Sequence, residues 1–141
     1  MKNNNWKYRM SIVGLGNYIM GDDGAGIHLI KLLRTEKIPP NTKLIEAGIS
    51  PINFIGEISQ TKEIIAVDAI KGGEKPGTVY KLCLNDLKTT SINDLHGYSL
   101  FDVIKMAQSI TGFPDKVEIY GIEPKDICLN PNLSPPVKKA V

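Results

Sequence analysis

A chain of 141 residues, 42% hydrophobic and 23% charged, with a formal net charge of +2, has the composition of one folded domain with its own core rather than of a disordered or fibrous segment. Its basic and acidic residues are interspersed, so no basic stripe offers a nucleic-acid footprint, and no apolar run approaches the roughly 20 residues that cross a bilayer. No apolar leader follows "MKNNNWKYRM", and a single domain over 1–141 in the cytoplasm is expected.

"YRMSIVGLG" predicts a buried strand running into a turn, and "DDGAGIHLIKLLRTE" a helix with Ile27, Ile30 and Leu33 at helical spacing behind a helix-favouring Asp. "TKLIEAG" predicts a second strand, followed by a helix with Ser50 as its cap and Pro51 at its first position. The β-branched run "KEIIAVDAI" suits a central strand covered on both faces, and it ends at Asp68. The loop "KGGEKPG" is too short for a parallel crossover, so "TVYKLCL" is expected antiparallel or at an edge. Leu100, Val103, Ile104 and Ala107 fall on one face of the next helix, "KVEIYGI" is the last strand, and Ser134 with its prolines starts a short final helix. Cys83 and Cys128 are far apart and without metal-motif spacing, which predicts two small buried hydrophobes.

Strands alternating with helices make an α/β fold, in which ligands bind beyond the carboxyl ends of the strands where strand order reverses. "GLGNYIMGDDGAG", residues 14–26, lies at such a point and combines the glycines of a phosphate-binding turn with two adjacent carboxylates. Gly14 and Gly16 match the first two glycines of a dinucleotide fingerprint, and Glu46 ends the second strand. Ile19 nevertheless stands where the third glycine belongs, and Asp22 and Asp23 would repel a pyrophosphate.

Closely spaced carboxylates attract cations instead. If the first and third strands are neighbours, Asp68 faces the "GDDG" loop across the crevice, and His96, just before an amphipathic helix, is the candidate third ligand. One of Asp22 and Asp23 is expected only to cap the first helix, with Gly14, Gly16, Gly24 and Gly26 shaping the loop. His28, inside that helix, is expected to point to solvent. No "GxSxG" elbow or Cys–His pairing suggests a covalent nucleophile.

These residues resemble the hydrogenase maturation endopeptidases, which remove a C-terminal extension from the large subunit of nickel-iron hydrogenases after nickel insertion. The resemblance runs nearly end to end: "GLGNYIMGDDGAG", "VDA" ending the third strand, "PGTV" before the fourth, "LHGYSLFDVI" at a helix start, then "GIEP" and "PPVKKAV". It implies a three-layer α/β/α fold with a mixed five-stranded sheet of order 2-1-3-5-4, the fourth strand antiparallel. It also implies that the family's metal-contacting acids fall on Asp23 and Asp68 and its histidine on His96. Family members generally continue the last helix further than this sequence does.

The expected activity is that of a peptidase with Asp23 and Asp68 catalytic. Nickel would be supplied by the hydrogenase large-subunit precursor and no permanent cofactor held. Nickel would polarise the scissile carbonyl or serve for recognition, or the two carboxylates would act as an aspartic-type acid and base pair on water. A monomer without nucleic-acid or membrane partners is expected. The alternative is a non-proteolytic nickel- or nucleotide-binding accessory module.

Overall fold

A computed structural model describes residues 6–90 and 99–141. Strands β1 (Tyr8–Leu15), β2 (Thr42–Gly48), β3 (Thr61–Ala69), β4 (Val79–Leu82) and β5 (Lys116–Ile122) form one sheet of order β2-β1-β3-β5-β4. All neighbours are parallel except β4, which runs antiparallel to β5 at the edge, with Val79 opposite Ile122. This is the order that the family resemblance implied, and the short link before β4 explains its direction.

Helices α1 (Ala25–Leu33) and α5 (Pro135–Ala140) contribute to one face of the sheet, where Ala25, Val67, Ile122 and Val137 are buried together. On the other face lie α2 (Ile55–Ser59), α3 (Leu84–Thr90) and α4 (Leu100–Thr111), over a core that includes Val13, Ile45, Ile64, Ile104 and Ile119. The α4 residues buried are the four that the periodicity selected: Leu100, Val103, Ile104 and Ala107. A capping box starts this helix, with the Ser99 hydroxyl accepting the Asp102 amide and the Asp102 carboxylate accepting the Ser99 amide, each at 3.2 Å. Gly112, at φ 84°, ends it.

Glycine sets how closely α1 lies on the sheet. A Cβ at Gly26 would stand 2.3 Å from the Val67 carbonyl oxygen and 2.6 Å from the Leu15 amide nitrogen, and one at Gly14 would stand 2.4 Å from the Gly26 carbonyl oxygen. The helix start therefore rests directly on the backbones of β1 and β3, which brings the segment before it over the carboxyl ends of both strands.

Some expected details differ. A 3-10 turn, Gly21–Gly24, precedes α1, and another, Pro51–Phe54, precedes α2; Ser50 and Ser134 occupy cap positions without capping hydrogen bonds from their side chains. Both cysteines are exposed rather than buried. Among the described residues no helix is long and apolar enough to cross a membrane.

Candidate active site

Beyond Leu15, Gly16 takes φ 106° and donates its amide to the Gly48 carbonyl at 3.0 Å, which fastens the loop after β1 to the end of β2. A Cβ here would stand 1.8 Å from the Asp23 carbonyl oxygen and 3.3 Å from Asp68 Oδ1. Glycine is required on both counts, since L side chains rarely adopt that φ and there is no room for one. Its bare backbone lies against the backbone of Asp23 and beside the Asp68 carboxylate.

Each carboxylate is held by a backbone amide. Asn17 donates its amide to Asp23 Oδ2 at 2.9 Å, and the Asn17 side chain accepts the Ile19 amide at 3.2 Å, closing the loop on itself. Asp68, half-buried at the end of β3, accepts the Ala69 amide at 2.8 Å. Burial first and the Asp23 charge second push the Asp68 carboxyl up to about 7, against the opposing effect of the Ala69 amide. Near neutrality Asp68 therefore exists in both protonation states.

Asp22 has a different task. Neither it nor Asp23 caps the 3-10 turn or α1. Asp22 is 1% exposed and accepts the amides of Lys125, Asp126 and Ser134 and the Ser134 hydroxyl, at 2.7–2.9 Å. Burial raises its carboxyl, but these bonds outweigh that effect and hold it below the usual range. The residue ties the segment after β5 to the loop after β1, with further backbone bonds from Gly21 to Asn130 and from Asn130 to Ile19.

A second buried carboxylate, Glu123 of "GIEP", escaped the sequence reasoning. It accepts the Gly72 amide at 2.8 Å and the Tyr80 hydroxyl, and its backbone pairs with Gly77 and Thr78. It thereby holds the loop that leaves Asp68. The Tyr80 bond is the main reason its carboxyl lies low, with burial opposing and the Gly72, Glu74 and Gly73 amides assisting. A sequence signal was present, because "PGTV" and "GIEP" are separate pieces of the resemblance, and here they meet.

The other candidates resolve simply. Glu46, the acid a dinucleotide reading would use for a ribose, is ion-paired to Lys31 of α1 at 3.3 Å and to Arg34, which caps the end of that helix, at 3.1 Å. His28 does not project into solvent as expected: its ring stacks on Tyr18 with centroids 4.8 Å apart, and its Nε2 lies 3.1 Å from the Pro131 carbonyl oxygen. His96 lies outside the described residues. Among the described residues, no three His, Cys, Asp or Glu side chains form a metal-holding group.

Comparison with known proteins identifies the family. A family profile described as hydrogenase maturation protease matches residues 27–141. A protein of Methanocaldococcus jannaschii, described as a candidate hydrogenase maturation protease, is 33% identical over 138 residues, spanning 92% of this chain and 87% of that one. The coenzyme F420 hydrogenase subunit delta of Methanothermobacter thermautotrophicus is 30% identical over 142 residues, spanning 92% and 85%. The fold matches the [NiFe] hydrogenase maturation protease HycI of Thermococcus kodakarensis with a TM-score of 0.80 at 24% identity, over 95% of this chain and 85% of that one. With a profile match over most of its length and relatives of this closeness, the chain belongs to the hydrogenase maturation protease family.

Proposed function

We propose that this chain is an endopeptidase that removes the C-terminal extension of a nickel-loaded hydrogenase large-subunit precursor, and that nickel already bound by the precursor is what it recognises. The observation that carries this reading is the acidic pair across Gly16, one member of which titrates near neutrality. Carboxylate oxygens and an imidazole suit nickel, so Asp23 and Asp68, joined by His96 three positions before the α4 cap, would meet the ion on the substrate. That contact sets the scissile peptide beside the pair.

Hydrolysis adds water to the carbonyl carbon and breaks the C–N bond. One proton leaves the attacking water for a carboxylate, and one reaches the departing amine nitrogen. Where the two carboxylates act on water instead of contacting the ion, a carboxyl that is protonated in part at neutral pH, as Asp68 is in the metal-free chain, suits the delivery. The bare backbone at Gly16 leaves room for a substrate chain to approach.

The test uses two preparations of the precursor, with and without nickel, each carrying its extension. The reading expects cleavage of the loaded form alone and its loss in Asp23→Asn with folding intact. Equal cleavage of both removes the recognition role. Tight nickel binding by a chain that cuts neither form favours a non-proteolytic accessory module.

A further inference from the structure

We infer that the loops around the acidic pair form a preset apolar platform, presented by Ile19, Ile49 and Leu129, which grips an apolar stretch of the protein substrate next to the scissile peptide. This rests on the proteolytic reading above and adds how the polypeptide is held. These side chains are 52%, 52% and 79% exposed, and all three lie on the loops that follow the carboxyl ends of β1, β2 and β5.

Their backbones are fixed. The Asn130 amide donates to the Ile19 carbonyl at 2.8 Å and the Gly21 amide to the Asn130 carbonyl at 2.6 Å, so the segments carrying Ile19 and Leu129 are bonded to each other through a single bridge between Met20 and Asn130. Asp22 locks the same two segments together from beneath. On the other side of Gly16, its bond to Gly48 brings the loop carrying Ile49 alongside.

The loop that presents Ile19 is also the loop whose Asn17 amide holds the Asp23 carboxylate. Ile19 is thus two residues from the amide that holds this carboxylate, and its own amide is bonded to the Asn17 side chain. Apolar side chains on a rigid frame bind an apolar partner at small cost in ordering, which favours an extended hydrophobic segment over a charged one.

The test measures cleavage of the purified nickel-loaded precursor by Ile19→Ser/Leu129→Ser and, separately, by Ile49→Ser on its own loop. Substitution to Ser keeps every backbone bond described. Ile110→Ser is the comparison, because Ile110 is 69% exposed on α4 next to Thr111, whose hydroxyl donates to the Ser59 carbonyl just before β3, at the amino ends of the strands.

The platform predicts a KM raised about tenfold or more in the double variant with kcat within about twofold, Leu129→Met close to wild type, and Ile110→Ser unchanged. Wild-type KM in the folded double variant and in Ile49→Ser overturns it. If the wild type binds the precursor without cutting it, the proteolytic reading falls and the Kd of the same variants decides the platform. If it neither binds nor cuts, both fall.

Discussion

Ser134 donates both its backbone amide and its hydroxyl to the carboxylate of Asp22, each at 2.7 Å, across 112 positions of sequence. With the amides of Lys125 and Asp126 the carboxylate receives four donors, more than a neutral amide can accept, so Asp22→Asn leaves buried donors facing an NH2 group. The expected loss is about 3 kcal/mol in urea unfolding, with faster hydrogen exchange at the amides of residues 125, 126 and 134. The pH dependence follows from the lowered folded value: this stabilisation is present above the ordinary Asp range and is lost as pH falls through the folded value. Unfolding of the variant should accordingly depend less on acid than that of the wild type.

Asp68 has the opposite sign. Its folded value of about 7 stands above the ordinary 3.8, so between these limits the folded chain holds a proton that the unfolded chain has released. Stability of the metal-free protein therefore falls as pH rises through that window, and above it the full cost is felt. Asp68→Asn removes the charge, and its side-chain oxygen can still accept the Ala69 amide. The variant should match the wild type near pH 4 and exceed it at pH 8 by roughly 2 kcal/mol, after discounting for solvent screening. Thermal melts across this range check it; parallel pH profiles for the two proteins would show that Asp68 is not strained by its charge.

How legible this was differs from residue to residue. Strand positions could be read because β-branched runs between turn residues mark β2 and β5 residue for residue, at Thr42–Gly48 and Lys116–Ile122. Asp68 and Asp23 could be nominated because strand ends in an α/β sheet converge, and that argument needs only topology. The division of labour inside "GDDG" was hidden. Which aspartate is buried depends on a segment a hundred residues later, and local capping rules carry no knowledge of Ser134. Glu123 was hidden for the same reason, since its partners Gly72 and Tyr80 lie in a loop and an edge strand whose mutual approach depends on the folded sheet. Ser50 and Ser134 have good capping chemistry, yet tertiary geometry engages Ser134 elsewhere.

Two glycine-to-alanine changes in helices should move stability in opposite directions. Alanine gains up to about 1 kcal/mol in a helix interior, and Gly56 in α2 has nothing within 4 Å of a built Cβ, so Gly56→Ala should stabilise by about 0.5–1 kcal/mol. At Gly26 the new methyl would stand 2.3 Å from the Val67 carbonyl oxygen and 2.6 Å from both the amide and carbonyl of Leu15. These are strand backbone atoms that can move only if α1 lifts. Gly26→Ala should cost about 3 kcal/mol or more and, by displacing the segment that carries Asp23, weaken cleavage as well. Paired urea titrations give the comparison; a stable Gly26→Ala would mean the helix has slack against the sheet.

The last prediction concerns the pair itself. The Asp23 charge is the second of two causes that raise Asp68, so Asp23→Asn should lower the Asp68 titration midpoint, observed at its carboxyl carbon by NMR. It should remain above 3.8, because burial, the larger cause, is untouched. Folding should hardly change, since the Asn17 amide still finds a side-chain oxygen at residue 23. Cleavage of the precursor should nonetheless drop by about 100-fold or more if the pair works as an acid and base. The two readouts check each other. A lost activity with an unmoved Asp68 midpoint would place Asp23 in substrate contact alone, whereas a shifted midpoint with full activity would leave the carboxylates coupled but idle. Only the two changes together identify the space across Gly16 as the place where the peptide bond is cut.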